Sequence, residues 1–447
     1  MRKYVKSIVI ILLIFIMVFS LIACNQAPMV SMEQLLQEIE SGVVEGEITF
    51  TYSYAASSKA NEQAIERYIN AFEKKYKDVK VNRDYTVTSD ARISSGDIGD
   101  VFYFPEVDTY KYAVKDQALI PLDGFIEKFG INQSDVYSGI YALGLVNGRL
   151  YFVARDYNQM GMIYNKSAIT QAGLSESIHK DWSWYDFLNI CEQLYDPNGD
   201  YYPACVYLHY SPVYTAFFDA YTQRNSWISK SDNKITFIDE QGEILKAVSE
   251  CIDAARKGHI FIPGVNDSDF KGKQAIISTT VYPTIVDSLG KAFDNAGIDW
   301  DMINMPLFKN PSFGCGASGV GVFSRTRNVT AAAALALFFF TPEGQKSFNS
   351  GMGGSVPLLK SIDEEGFNEW KFPNDAWSEK NWDAWVYLAD TASVPGQVNC
   401  RMPIEIAEII DKSIISILKN DLLGDQSYQD GFKELEIKCN EAWKTLK

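Results

Sequence analysis

The chain has 447 residues, of which 47% are apolar and 22% are charged, a composition typical of a globular protein large enough for two domains. Its formal net charge of −16 argues against nucleic acid or an anionic surface as a partner. The six cysteines after residue 24 include no C-x-x-C pair, which argues against a zinc site. Whether any of them form a disulfide stays open.

The first 24 residues have the pattern of a secretion signal. Arg2, Lys3 and Lys6 precede an unbroken apolar run at residues 8–19, and Ala23-Cys24 follows it. A positive start, a short apolar core and a small residue before the cleavage point indicate a secretory signal. The run is shorter than the ~20 apolar residues of a membrane span. An uncleaved membrane anchor is the alternative, and the polar residues 25–45 are expected to act as a tether.

Strands and helices alternate from residue 46 onward. Alternation of apolar with smaller or polar side chains predicts a strand at residues 47–54, and two further strands are predicted at residues 79–85 and 99–104. A helix is predicted between the first two, so the order indicates an α/β fold with a mainly parallel sheet. Ligands of such sheets bind beyond the carboxyl ends of the strands. This rule selects Tyr54, Phe104 and Glu106 as candidate site residues.

The rest of the chain continues with short strands and longer helices. The turn at residues 196–200 begins like a calcium loop, but Tyr201 stands where that loop needs glycine, so no metal is expected. The apolar stretch at 331–340 is too short to span a membrane. Only the N-terminus is therefore expected to touch the membrane.

Five motifs stand in order along the chain: Gly-Asp-Val-Phe at 99–102, Ile-Tyr-Asn-Lys at 163–166, Asp-Trp-Ser-Trp at 181–184, Gly-Lys-Gln-Ala-Ile at 272–276 and Gly-Ser-Val-Pro at 354–357. In this order and spacing they resemble the extracellular solute-binding proteins of bacterial ABC importers, specifically the sugar-binding family typified by maltose-binding protein. Residues 21–24, Leu-Ile-Ala-Cys, resemble the lipobox of bacterial lipoproteins.

The resemblance to solute-binding proteins implies a two-lobed, type II periplasmic-binding-protein-like fold. Each lobe would be a mainly parallel sheet flanked by helices, with the ligand in the cleft between the lobes and hinge closure around it. We expect lobe one to hold residues 46–156 and 283–327. Lobe two is expected to hold residues 157–282 and 328–447.

The resemblance to lipoproteins implies a diacylated Cys24 that becomes the first residue after cleavage. Two acyl chains anchor a protein stably, whereas one binds only marginally. The implied location is the extracellular face of a cell membrane. A tether suits a Gram-positive surface better than a periplasm, because it keeps the protein at a high effective concentration near its permease.

The resemblance also implies ligand contacts, residue by residue. Asn158 falls where relatives place a polar sugar contact as the chain crosses between lobes, with Asp156 and Tyr157 beside it. Phe104 and Glu106 fall where relatives carry an aromatic ring and an acid. The other candidates are the aromatic residues Tyr210, Tyr214 and Tyr282, the hydroxyl or backbone of Ser318, and the guanidinium of Arg401. These positions also have structural alternatives. The aromatic rings could be core residues, residues 156–158 could cap a strand, and Arg401 could form an ordinary ion pair.

The implied function is capture of a carbohydrate, expected to be an oligosaccharide, and its delivery to the transmembrane subunits of an ABC permease. No cofactor is expected, and the protein is expected to be a monomer. The chain has no His-Glu-x-x-His, Gly-x-Ser-x-Gly or phosphate-loop motif, so we do not expect an enzyme. Paired carboxylates for glycoside hydrolysis meet only in space and stay open. The other alternative is a sugar-sensing or adhesive surface lipoprotein of the same fold.

Overall fold

The structure is a computed structural model that describes residues 27–53, 59–229, 231–267, 274–280, 283–351, 355–371, 375–395 and 402–446. The α-helices are α1 Met32–Ser41, α2 Lys59–Lys75, α3 Asp90–Ser95, α4 Asp123–Lys128, α5 Ser138–Leu143, α6 Lys166–Gln171, α7 Trp184–Leu194, α8 Ser211–Asp219, α9 Lys246–Arg256, α10 Pro283–Asn295, α11 Val329–Leu337, α12 Pro342–Asn349, α13 Lys360–Glu364, α14 Ala389–Ala392, α15 Ile404–Leu423 and α16 Tyr428–Thr445.

The strands are β1 Gly46–Ser53, β2 Val79–Val87, β3 Val101–Pro105, β4 Leu145–Val146, β5 Arg149–Leu150, β6 Val153–Ala154, β7 Asn158–Gln159, β8 Gly161–Asn165, β9 Tyr201–Cys205, β10 Ile228–Ser229, β11 Lys234–Ile235, β12 Ile260–Phe261, β13 Gln274–Thr280, β14 Trp300–Asn304, β15 Phe313–Gly316, β16 Ser318–Val322 and β17 Ser393–Pro395.

Lobe one is built on a five-stranded sheet in the order β2-β1-β3-β16-β6. β1 pairs in parallel with β2 and β3, whereas β16 is antiparallel to β3 and β6. The apolar side chains of β1 and β3 are buried, and α2 and α11 cover the sheet with residues such as Tyr68 and Leu335. Because both faces are covered, β3 reads as a continuous apolar run rather than as an alternating one.

Lobe two is built on a second five-stranded sheet, in the order β12-β9-β13-β8-β14. β9 pairs in parallel with β12 and β13, and β8 is antiparallel to β13 and β14. All five residues of β8 are buried, which is typical of a central strand with both faces covered. Helices α7, α8, α9, α15 and α16 contribute to a separate core around this sheet.

A three-stranded sheet in the order β17-β15-β7 joins the lobes. β14 belongs to the sheet of lobe two and β16 to that of lobe one, and β15 lies between them in the chain. β6 belongs to the sheet of lobe one and β8 to that of lobe two, and β7 lies between them in the chain. The chain therefore crosses between lobes at β7 and again at β15.

The second crossing requires a close approach at Gly314. A Cβ on this residue would lie only 2.2 Å from the carbonyl oxygen of Pro212, in the first turn of α8. Only glycine allows this contact, because any side chain would displace the backbone of one partner. Helix α8 is therefore packed directly on the crossing strand β15.

Two of the predicted lobe ranges differ from the strand pairings. The range 283–327 was assigned to lobe one, but β14 pairs with β8 in the second sheet. The range from 328 onward was assigned to lobe two, but α11 and the helix α12 pack on lobe one. Local patterns predict where strands and helices occur. They do not contain the long-range partners that decide which sheet a strand joins.

Residues 27–45, here called the N-terminal arm, were predicted as part of a tether but contain a docked helix. Ser31 caps α1 by accepting a hydrogen bond of 3.1 Å from the backbone N–H of Gln34. Leu35 is 4% exposed and lies in the core of lobe one. Among the described residues, the arm is thus a packed part of lobe one.

The described residues also bear on the cysteine and membrane predictions. Cys191, Cys205, Cys251, Cys315 and Cys439 are all buried and free, and Cys24 and Cys400 lie outside the described residues. In the part of the chain that the structure describes, no helix is long and apolar enough to cross a membrane. The same residues contain no group of three or more histidine, cysteine or acidic side chains that could hold a metal ion.

Candidate ligand-binding site

Glu106 lies at the carboxyl end of β3, where the sheet rule predicts a site residue. It begins the 3-10 turn Glu106–Asp108, and its side chain is buried. The carboxyl group accepts hydrogen bonds from its own backbone N–H and from that of Ala317. A Cβ on Gly316 would lie 3.2 Å from Oε1 of Glu106, so the carboxyl group packs against the link between β15 and β16.

The surroundings of Glu106 favour its neutral form. Burial raises the pKa of this carboxyl group to about 8, and the nearby carboxylates of Asp156 and Asp108 act in the same direction. The pKa of Asp108 is itself raised to about 6, mainly by burial. Around neutral pH, Glu106 is mainly protonated, so it can donate a hydrogen bond as well as accept one.

Asp156 and Asn158 form a second part of the site, where the chain leaves lobe one. Nδ2 of Asn158 donates to Oδ1 of Asp156 at 2.9 Å, and Oδ1 of Asn158 accepts from the hydroxyl of Ser355 at 3.0 Å. The backbone N–H of Ser318 also donates to Asp156. Among the described residues, these bonds hold the amide of Asn158 through one of its two N–H groups and one of its two lone pairs.

Arg155 supplies the positive charge next to Asp156. Its Nε donates to Oδ2 of Asp156 at 3.1 Å, and its guanidinium carbon lies 4.8 Å from the ring centroid of Tyr103. The pKa of Asp156 is nevertheless raised, because burial outweighs the opposing effects of Arg155 and the hydrogen bonds. This pair is therefore a desolvated polar group at the crossing between lobes.

Ser318 is half-buried at the first position of β16, opposite Pro105 of β3. Its carbonyl oxygen accepts a hydrogen bond of 2.9 Å from the backbone N–H of Arg155, and its side chain hydrogen-bonds the hydroxyl of Tyr103. Ser318 thus joins the Glu106 turn to the Asp156 crossing. Glu106, Asp156, Asn158 and Ser318, here called the polar cluster, come from three segments that are distant in sequence.

Two candidates beside the polar cluster lie in the core. The ring of Phe104 is 1% exposed and packs with Phe102, Tyr112 and Phe152 at centroid distances of 5.2–5.3 Å. The ring of Tyr157 is fully buried, and its hydroxyl donates to Oε1 of Gln159. Neither ring offers a face to a ligand in this conformation.

The two lobe-two tyrosines have different surroundings. Tyr214 is 3% exposed, and its hydroxyl donates to Oδ1 of Asp411 at 2.7 Å, which ties α8 to α15. Tyr210 is half-buried at the N-cap of α8, two residues before the Pro212 that contacts Gly314. Tyr210 therefore lies beside the crossing strand, whereas Tyr214 is a core residue.

Tyr54, Tyr282, Arg401 and Cys24 lie outside the described residues. Their predicted roles stay predictions. The described part of the chain brings together the four residues of the polar cluster and sets Phe104, Tyr157 and Tyr214 apart as core residues.

Two residues of the site were not predicted. Arg155 pairs with Asp156, and Ser355 holds the amide of Asn158. Ser355 belongs to the Gly-Ser-Val-Pro motif at 354–357, so its position in that motif was an available signal. Arg155 directly precedes Asp156 in sequence, but neighbouring residues in a regular strand face opposite ways. The bend at residues 155–156, between β6 and β7, is what brings their side chains together.

One described contact joins lobe one directly to a helix of lobe two. Nζ of Lys115, after the Glu106 turn, forms an ion pair with Glu405 in the first turn of α15. Both side chains are more than a third exposed, so the pair is a surface contact. It bridges the lobes outside the polar cluster.

The profile of a family described as bacterial extracellular solute-binding protein matches residues 55–346. The chain belongs to this family. Its members and structural relatives are substrate-binding proteins, so the family prediction is confirmed. No curated protein sequence matches the chain.

Solved structures of solute-binding proteins share the fold. An ABC substrate-binding protein from Listeria monocytogenes, in complex with cycloalternan, is 19% identical with a TM-score of 0.67, over 89% of this chain and 99% of that one. The sugar-binding protein MalE from Xanthomonas citri is 17% identical with a TM-score of 0.69, over 89% and 97%. A cyclic α-maltosyl-1,6-maltose binding protein from Arthrobacter globiformis is 17% identical with a TM-score of 0.70, over 90% and 99%. The predicted two-lobed fold is confirmed.

Proposed function

We propose that this solute-binding protein is the lipid-anchored extracellular component of an ABC importer and captures a carbohydrate between its lobes. The observation that carries the proposal is the polar cluster at the point where the chain crosses between lobes. A ligand bound there would touch segments whose positions change when the lobes close. Binding and closure would therefore be coupled.

The chemistry of the polar cluster fits a neutral polyol. A sugar has a rim of hydroxyl groups, each of which both donates and accepts hydrogen bonds. The cluster offers a protonated carboxyl group on Glu106, the carboxylate of Asp156 and the amide of Asn158. Hydrogen bonds that involve an ionised partner are about twice as strong as neutral ones.

Carbohydrate ligands also agree with the names of the structural relatives. Those names include complexes with cycloalternan and with acarbose, which belong to relatives that are 19% and 15% identical to this chain. Another relative is named as a complex with glycerophosphocholine, so the fold alone does not restrict the ligand to sugars. The carbohydrate class therefore rests on the polar cluster together with the predicted tyrosine contacts.

Anchoring through Cys24 and delivery to a permease complete the proposal. The support is the lipobox-like Leu-Ile-Ala-Cys at residues 21–24 and membership of an extracellular family. We propose a monomer on the outer face of a Gram-positive membrane, with the permease subunits as protein partners and without catalysis. A sensing or adhesive role would use the same site without transport.

Thermal unfolding with a panel of mono- and oligosaccharides tests the ligand class. A ligand at one hundred times its Kd stabilises the folded state by about 2.7 kcal/mol, which is readily detected. At least one sugar should raise the melting temperature of the wild-type protein, and the Asp156→Asn variant should show a smaller rise. Peptides and polyamines serve as comparison ligands. No response to any sugar would contradict the proposal.

A further inference from the structure

The N-terminal arm is hydrogen-bonded to the segment that follows β16. The backbone N–H of Val30 donates to the carbonyl oxygen of Ser324 at 2.7 Å, and Nη1 of Arg325 donates to the carbonyl oxygen of Ala27 at 3.2 Å. The arm is thus held from its first described residue. Nothing in these contacts depends on a ligand.

Helix α1 attaches the rest of the arm to lobe one. The hydroxyl of Thr330 donates to Oε2 of Glu38 at 2.6 Å, and Nζ of Lys128 donates to the carbonyl oxygen of Glu40 at 2.7 Å. Gly124 leaves room for Ile39, since a Cβ there would lie 2.5 Å from Cδ1 of that residue. Together with the buried Leu35, these contacts make the arm part of lobe one rather than a tether.

The arm docks at the end of the first sheet that is opposite the polar cluster. β16 and β3 are antiparallel, with Ser318 opposite Pro105 at one end and Val322 opposite Val101 at the other. Glu106 and Ser318 belong to the first end, whereas Ser324 and Arg325 follow Val322 at the second. Five residues of strand separate the two ends by about 15 Å.

Very little chain separates the docked arm from the predicted lipid. Only Asn25 and Gln26 stand between Cys24 and Ala27. Three residue steps span at most about 11 Å, because an extended chain advances ~3.3–3.6 Å per residue. A free tether of residues 25–45 could reach about 70 Å at the same advance.

We propose that the arm-bearing end of lobe one faces the membrane and that lobe two lies on the distal side of the cleft. The partner is the surface of the lipid bilayer. The docked arm sets the height of the cleft above that surface. The inference rests on the lipidation of Cys24 in the proposed function, but not on the ligand.

Energy transfer from the protein to a labelled bilayer tests the orientation. The mature chain from Cys24, with Cys400→Ser, is coupled through Cys24 to a maleimide lipid in neutral liposomes; the five described cysteines are buried. A donor dye is attached through an azido amino acid at the exposed Arg327 near the arm, or at Tyr185 of lobe two, which is 70% exposed. Transfer to acceptor lipids should be at least twofold more efficient from position 327. Equal transfer, or stronger transfer from position 185, overturns the proposal.

Two substitutions and one insertion test whether the docked arm is responsible for the orientation. Leu35→Asp should release the arm and reduce the difference between the two dye positions, whereas Leu36→Asp should not, because Leu36 is 59% exposed on the same helix. A flexible 20-residue Gly/Ser insert after Cys24 should also reduce the difference, without touching the folded protein. If the insert leaves the difference in energy transfer unchanged, the short link between Cys24 and the docked arm does not set the orientation. Because the lipid is attached chemically, failure here is distinct from failure of sugar binding or of lipidation in cells.

Discussion

Nδ2 of Asn158 donates a hydrogen bond of 2.9 Å to Oδ1 of Asp156, and the two residues lie on either side of Tyr157, where the chain leaves lobe one. The bond links Asp156, where the chain leaves lobe one, to Asn158, which begins β7 in the three-stranded sheet that joins the lobes. A ligand that binds the amide of Asn158 is therefore in contact with the hinge itself. If the proposed ligand binds there, capture and lobe movement would share one set of atoms.

Asn158→Ala should weaken ligand binding at least tenfold, which corresponds to about 1.4 kcal/mol. The substitution removes a direct contact and leaves Asp156 and Ser355 each without one hydrogen bond, so the free energy of unfolding should also fall by about 1–3 kcal/mol. Calorimetry and denaturant unfolding measure the two effects. Asn440→Ala is the matched control, because Asn440 bonds the backbone of Ile235 within lobe two and should lower stability alone. Unchanged affinity in Asn158→Ala would exclude this residue from the site.

Glu106→Gln should change how stability depends on pH. Folding raises the pKa of this carboxyl group to about 8, from the ordinary value of 4.5, so the folded state holds a proton that the unfolded state has lost between these values. The contribution to stability is full below pH 4.5 and is lost as the pH rises through 8, with a slope of at most about 1.4 kcal/mol per pH unit. Glu106→Gln should lack this decline of stability with rising pH.

Unfolding by denaturant at pH 5.5, 7 and 8.5 measures the difference between wild type and Glu106→Gln. Asp108 and Asp156 also have raised pKa values and will keep part of the decline in both proteins. Glu434→Gln, at an exposed position of α16, is the control and should follow the wild type. Parallel curves for Glu106→Gln and the wild type would show that Glu106 is ionised throughout.

We expect the ring of Tyr210 to contribute to ligand binding and the hydroxyl of Tyr214 to contribute only to stability. Tyr214→Phe removes the hydrogen bond to Asp411 and should lower the free energy of unfolding by about 1–2 kcal/mol with unchanged ligand affinity. Tyr210→Ala should weaken ligand binding, because its half-buried ring lies beside the crossing strand β15. Titration calorimetry and thermal unfolding of both variants give the comparison. Loss of affinity in Tyr214→Phe alone would reverse the assignment.

Lys115→Ala should favour the open arrangement of the lobes. The Lys115–Glu405 ion pair joins the lobes at the surface, and exposed pairs contribute about 0.2–1 kcal/mol, so the ligand Kd should rise by no more than about fivefold. Small-angle scattering of the unliganded variant should give a larger radius of gyration. Lys412→Ala, which breaks the exposed Lys412–Glu408 pair within α15, is the control and should change neither quantity. The effect should weaken at high salt, since both partners are exposed.

Local sequence patterns predicted parts of this molecule for physical reasons. Glu106 follows a buried strand, so the sheet rule alone was enough to predict its position at the carboxyl end of β3. The sequence did not show whether the ring of Phe104 faces the core or a ligand. Every residue from 101 to 104 is apolar, so the two faces of the strand look alike. The docked arm was missed because polar residues dominate it, although Leu35 and Ile39 have the i, i+4 spacing of a buried helix face. β14 and its partner β8, and the Asn158 amide and the Ser355 hydroxyl, are distant in sequence, so their pairing leaves no local signal.

The residue at position 314 allows the spacing of α8 and β15 to be compared between this chain and its relatives. Its backbone accepts α8 at a distance that excludes any side chain, so the helix and the crossing strand share one fixed junction. A relative with alanine or a larger residue at the aligned position must space these two elements differently. The identity of that single residue can therefore sort a diverse sequence family by hinge geometry before any further structure is determined.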